Sequence, residues 1–183
     1  ITMKPFLITG LPRSRTAWLS VVTTGPHSFC HHEPLTHTSS FEEYEEFWTK
    51  PNVPFVGISD SGIVPQLGRV LVQIEPQTLI VRRDIVQVKA SLRKAFADYE
   101  MDHKIGDKYL DTCESELKKW LTHPLVRVVE FEELRDAMTV DKCIKWLMPQ
   151  NDIPFNRALM DLNIQADVKK VMTTRPMHQW WVA

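Results

Sequence analysis

Short apolar runs alternate with longer stretches of helical periodicity along this chain. The runs at 4–9 (ending Phe6-Leu7-Ile8), 55–58 (Phe55-Val56-Gly57-Ile58), 78–81 and 125–129 are each too short for a helix and are apolar on both sides, the pattern of strands covered on two faces. Helices are predicted between them. Residues 14–23 carry Trp18, Leu19 and Val22 on one face, 41–48 interleave Phe41, Tyr44, Phe47 and Trp48 with acids, and 63–74 space Val64, Leu67, Leu71 and Ile74 at helical intervals. The strongest stripe is Ile85, Val88, Leu92, Phe96 and Tyr99 within 84–99, with Asp84 able to cap its start. Residues 111–121, with Cys113, Leu117, Trp120 and Leu121 inward, and 140–148, stopped by Pro149, complete the set.

Strands alternating with helices predict an α/β fold, a mostly parallel central sheet between two helical layers. The 183 residues suffice for one domain, with a core over 4–150 and an irregular segment over 151–183 that ends in Trp180-Trp181. In such sheets ligands bind beyond the carboxyl ends of the strands, so function is expected in the loops after Ile8, Ile58 and Val81.

Composition narrows the function classes. Twenty-two Lys and Arg against 23 Asp and Glu give a net charge of −1, so no overall basic field exists to hold nucleic acid. No apolar run approaches the ~20 residues of a spanning helix, and the opening residues lack a secretory-signal pattern. Cys30, Cys113 and Cys143 form no CxxC pair, so neither a disulfide framework nor a zinc ribbon is indicated. A reducing, cytoplasmic setting is the expectation, with no nucleic-acid or membrane partner.

The loop after the first run reads Gly10-Leu11-Pro12-Arg13-Ser14-Arg15-Thr16-Ala17-Trp18-Leu19. A strand, a tight turn and a helix start, with hydroxyls and arginines at the turn, make an anion site. A Walker A loop would require glycine, lysine and a magnesium-binding hydroxyl at Arg15, Thr16 and Ala17, and all three differ. That disfavours a phosphotransferase and leaves a phosphate cradle with Arg13 as its cation and no metal ligand. The segment Pro12 to Leu19 resembles the 5′-phosphosulfate loop of the sulfotransferases, P-[KR]-S-G-T-T-W-L, departing at Arg15 and Ala17. Ile80-Val81-Arg82-Arg83-Asp84, with Ser91 eight residues after Arg83, resembles that family's second motif, whose arginine and serine hold the 3′-phosphate of the donor nucleotide. Spacing favours Arg83 over Arg82. Val128 to Leu134 is similar to the strand and turn that follow in the family, and the stretch through Trp146-Leu147 to a later segment.

The resemblance covers about residues 4–150. It implies a three-layer P-loop fold and a sulfotransferase that moves a sulfuryl group from 3′-phosphoadenosine 5′-phosphosulfate to the hydroxyl or amine of a small-molecule or carbohydrate acceptor. Adenosine 3′,5′-bisphosphate is the product, and no metal is expected. Arg13, Ser14, Arg15, Thr16 and Trp18 would line the phosphosulfate and nucleotide side, Arg83 and Ser91 the 3′-phosphate. The alternatives are a non-catalytic nucleotide-binding module of the same fold and, less favoured, the phosphotransferase.

The reaction requires a base on the acceptor. Many family members place a histidine after the second strand, where this chain has Ser59-Asp60-Ser61-Gly62. Phe29-Cys30-His31-His32-Glu33-Pro34-Leu35 resembles the E-P-L/F segment of carbohydrate-type members, in some of which the glutamate is the base. Glu33 is therefore the preferred base, His31 and His32 serve at neutral pH without tuning, and Asp60 is a further candidate.

Overall fold

A computed structural model describes residues 3–97, 104–151 and 155–164, with the side chains of Lys104 and Ile105 excepted. Five strands form one sheet: β1 (Lys4–Gly10), β2 (Ser28–His32), β3 (Phe55–Ser59), β4 (Gln77–Arg82) and β5 (Val126–Glu130). Their order is β2-β3-β1-β4-β5, and every pairing is parallel. Six helices accompany them: α1 (Thr16–Val22), α2 (Phe41–Glu46), α3 (Leu67–Gln73), α4 (Ile85–Ala97), α5 (Lys104–Trp120) and α6 (Ala137–Leu147).

The sheet divides the core into two. On one face Leu7, Ile58 and Ile80 pack under side chains of α2, α3, α4 and α5; on the other Phe6, Ile8, Leu79 and Val81 pack under α1 and α6. Consecutive residues of one strand thus serve opposite layers, which is why the strands read as unbroken apolar runs. Asp84 caps α4 by accepting from the Gln87 amide, 3.0 Å.

Several elements differ from the sequence expectation, and three of the differences have a plain physical reason. Ser28–His32 is a fifth strand; its polar composition hid it, but it lies on the sheet's edge, where Phe29 and His31 face out toward Phe47 and Cys30 faces the α1 layer. Pro65 splits the 63–74 helix into a single 3₁₀ turn, Val64–Gln66, followed by α3. α5 begins seven residues earlier than the apolar stripe predicts, in polar sequence held by ion pairs of Asp107 to Arg93 and Asp111 to Lys89, both 2.6 Å. Tyr99 and the Trp180-Trp181 pair fall outside the described residues.

The backbone of β1 approaches β4 so closely at Gly10 (φ 157°) that a Cβ there would sit 2.4 Å from the Val81 carbonyl oxygen. This contact sets the loop after β1 directly beside the end of β4. The connections from these adjacent strands leave toward opposite edges of the sheet, the arrangement that opens a binding crevice at their carboxyl ends.

Candidate functional site

The loop from Leu11 to Arg15 turns tightly into α1, with Arg13 (φ 66°) and Arg15 (φ 63°) both in the left-handed region. Such a conformation in a non-glycine residue costs on the order of 1–3 kcal/mol and clusters where the surrounding structure imposes it. The loop is held from β3: the Ser59 hydroxyl donates to the Thr16 carbonyl at 2.8 Å, and the Asp60 amide donates to the Ile8 carbonyl at 2.9 Å.

Three of the predicted anion-binding residues converge here from separate elements. Arg13 Nε donates to Ser91 Oγ on α4, 3.3 Å, across 78 residues of sequence, and Arg83 Nη1 donates to the Arg13 carbonyl. The Arg83 guanidinium lies over the Phe131 ring, 4.1 Å from its centroid. Burial lowers the proton affinity of Arg83; Glu132 opposes this and the Arg13 charge reinforces it. Arg83 Nε and Ser14 Oγ are buried and have no hydrogen-bond partner. A buried orphan polar atom costs about 1–3 kcal/mol, so one on this loop and one at the adjacent end of β4, beside two mutually repelling guanidinium groups, form a place with the chemistry to take an anion. Thr16 is buried in the first turn of α1.

Arg82 does not join this group. It points to the neighbouring strand and pairs with Glu130 at 2.5 Å. Arg15 also turns away: its guanidinium donates to the Leu134 carbonyl at 3.1 Å and lies against Trp18 and Phe131, 5.2 and 5.8 Å from their centroids. Trp18 is a core side chain, 3% exposed, whose indole N–H donates to the Leu159 carbonyl at 2.8 Å. Neither Arg15 nor Trp18 thus presents its side chain to the loop as the sequence reading had it. Phe131, which bears on both arginines, was not singled out; its signal was the aromatic directly after the β5 run.

The candidate bases separate sharply. Asp60 is 1% exposed, and its carboxylate accepts from the Leu35 amide at 3.1 Å and the Gly62 amide at 2.8 Å. It ties two loops together and leaves little capacity for a substrate. His31 is wedged between the rings of Phe29 and Phe47, with Nε2 2.5 Å from the Lys50 carbonyl. Glu33 directly follows β2. It sits in a left-handed conformation (φ 47°, ψ 48°), its amide donating to the Ser59 carbonyl at 2.9 Å. The Ser61 hydroxyl donates to Glu33 Oε1 at 3.4 Å, and His32 Nε2 lies 3.9 Å from the same oxygen. Glu33 Oε2 and His32 Nε2 are buried without a hydrogen-bond partner. Burial lowers the His32 proton affinity, against the opposing pull of the Glu33 carboxylate. This group stands at the ends of β2 and β3, two strand spacings, roughly 10 Å, from the end of β1. Among the described residues, no three His, Cys, Asp or Glu side chains are grouped to hold a metal ion, and no helix is long and apolar enough to cross a membrane.

No protein-family model matches the chain, and no curated protein is similar to it in sequence. Solved structures are similar in shape. A sulfotransferase from Alicyclobacillus acidocaldarius superposes with a TM-score of 0.68 at 14% identity, over 94% of this chain and 91% of that one. Mouse sulfotransferase SULT7A1, complexed with PAP, superposes with a TM-score of 0.58 at 11% identity, over 93% of this chain; the chain spans 63% of the mouse protein. The five-stranded parallel sheet between two helical layers is therefore the fold that this chain shares with these two sulfotransferase structures.

Proposed function

We propose that the protein is a sulfotransferase using 3′-phosphoadenosine 5′-phosphosulfate as donor. The observation that carries the reading is that Arg13 links the loop after β1 to both other elements, its carbonyl accepting from Arg83 at β4's end and its side chain donating to Ser91 on α4, next to the orphaned Ser14 hydroxyl. One mouse protein of this fold is complexed with PAP. Two anionic groups on one nucleotide suit two guanidiniums from different elements better than a single phosphate does.

In this reading Arg13, Ser14 and Thr16 bind the phosphosulfate, and Arg83 and Ser91 bind the 3′-phosphate. When bound, the donor supplies an activated sulfuryl group. The cations of the loop offset the negative charge that gathers on the departing oxygen. Glu33 takes the proton from the acceptor hydroxyl or amine, with Oε2 as the receiving atom, because Oε1 already accepts from Ser61. The left-handed backbone at Glu33 supports this role, since strain of that kind persists where a side chain must be aimed.

Calorimetry tests the nucleotide half. Adenosine 3′,5′-bisphosphate should bind roughly tenfold to a hundredfold more tightly than AMP, from one charge-assisted contact of about 1.5–3 kcal/mol. Arg83→Gln should remove that preference, and EDTA should leave it intact. Equal affinities for the two nucleotides would defeat the reading. A protein that binds the bisphosphate but never transfers sulfuryl groups would be the non-catalytic module.

A further inference from the structure

His32 and Glu33 are adjacent in sequence, each has a buried, unpartnered polar atom, and His32 Nε2 lies 3.9 Å from the Glu33 carboxylate. Adjacent strand residues point to opposite faces, so this arrangement requires the chain to leave the strand between them, which the left-handed Glu33 accomplishes. The charged and polar groups around His32 are few. Glu33 Oε1 is 3.9 Å from Nε2, and Ser61 donates to that same oxygen. The Asp60 carboxylate, on the loop after β3, is engaged by the Leu35 and Gly62 amides. His31, the preceding residue, faces the Lys50 carbonyl. Glu33 is thus the acid–base partner that His32 has at hand.

We propose that His32 is the proton outlet of the site, taking from Glu33 the proton that Glu33 removes from the acceptor and passing it to water. This rests on the sulfotransferase reading, and on Glu33 as base. The Glu33 O–H bond breaks as an N–H bond forms at His32 Nε2, giving a carboxylate beside an imidazolium. The ring then swings its Nε2 edge out to water, loses that proton to solvent and returns as the Nδ1–H tautomer. The 3.9 Å gap is closed by a carboxyl rotation or by one bridging water. The side chain of His32 is 29% exposed although Nε2 is not, so the ring joins the buried carboxyl to bulk water. Its lowered proton affinity keeps the imidazole neutral, and able to accept, at pH 7. Without such an outlet Glu33 would have to release its proton from a side chain only 17% exposed before it could serve again.

The test has two arms. Proton–nitrogen NMR of the ring should find His32 neutral at pH 7 with the proton on Nδ1, and Glu33→Gln should lower its titration midpoint further by removing the carboxylate. A proton resident on Nε2, or a midpoint unmoved by Glu33→Gln, would overturn the proposal. In the second arm, hydrolysis of 3′-phosphoadenosine 5′-phosphosulfate, with water as acceptor, should slow at least about tenfold in His32→Ala and recover on adding imidazole. An undiminished rate, or a loss that imidazole leaves unrestored, counts against it. A wild type that neither binds adenosine 3′,5′-bisphosphate nor releases it from the donor fails the parent reading instead, and the NMR arm still decides the His32–Glu33 coupling.

Discussion

Glu33, partly buried, and Asp60, fully buried, each directly follow a strand, and the sequence ranks them only by resemblance. The structure distinguishes them by their partners. Asp60 caps two backbone amides, so Asp60→Asn should cost about 1–3 kcal/mol of stability, read by denaturant unfolding. Glu33 keeps an orphan oxygen, so Glu33→Gln should leave stability close to wild type while turnover falls by the roughly 10²–10⁴ of a lost general base. The opposite pattern would exchange their roles. His32 adds a pH signature. Its folded proton affinity lies below the ordinary value of 6.5, so the unfolded chain takes up a proton first as pH falls. Stability should therefore be unaffected by His32 well above pH 6.5 and decline below it, and His32→Gln should flatten that decline in urea titrations between pH 7 and pH 5. None of this was legible in the sequence, which shows residue types but not which lone pairs are already taken. Arg83 and Arg82, adjacent in sequence, likewise part by their partners: Arg83 donates to the Arg13 carbonyl, whereas Arg82 pairs with Glu130.

At the scale of elements, β1, β3 and β4 were readable because burial on both faces leaves an unbroken apolar run, β5 on the edge because its valines cluster, and β2 was not. A strand on the sheet's edge needs only alternate apolar positions, and Ser28-Phe29-Cys30-His31-His32 has too few to separate it from a loop. That loss mattered for function, since β2 is what carries His32 and Glu33 to the carboxyl end of the sheet. In the loop after β1, Arg15 stands where the resembled motif has glycine. The residue keeps the left-handed backbone that a glycine would adopt freely and uses its side chain to bind the turn after β5. Arg15→Gly relieves the strain but loses the Leu134 hydrogen bond and the stacking on Trp18, terms of similar size, so stability should change by less than about 1 kcal/mol. Arg15→Val keeps the strain, adds β-branching and loses the same contacts, and should cost more than about 2 kcal/mol. Gly10 tolerates neither exchange: with Val81 O 2.4 Å from its would-be Cβ, Gly10→Ala should destabilise by at least about 2 kcal/mol and weaken nucleotide binding, as β1 and β4 separate under the loop. Thermal unfolding of the three variants, side by side, checks the order.

Across the whole molecule, the anion-binding groups bridge the two cores. Arg13 sits on the loop that leads into α1, over the core shared with α6, whereas Ser91 belongs to α4 on the other face of the sheet. A ligand held by both ties the layers together where hydrogen bonds join Arg13 to Arg83 and to Ser91, and it binds the folded chain alone. Linkage then sets the gain: a bisphosphate present at a hundredfold its dissociation constant adds about 2.7 kcal/mol. For a chain of this length each kcal/mol is worth about 2–4 °C, so adenosine 3′,5′-bisphosphate should raise the unfolding temperature by roughly 5–11 °C. AMP at the same concentration reaches the loop after β1 but not the Arg83–Ser91 side, and should give a clearly smaller shift. Arg83→Gln should bring the two shifts together, because it removes the cation that reads the second phosphate. Glu33→Gln, two strands away on β2's end, should leave the full bisphosphate shift in place. Scanning calorimetry on the three proteins with each nucleotide separates donor recognition from chemistry without an acceptor; a bisphosphate shift no larger than that of AMP in the wild type would remove the 3′-phosphate site from β4 and α4.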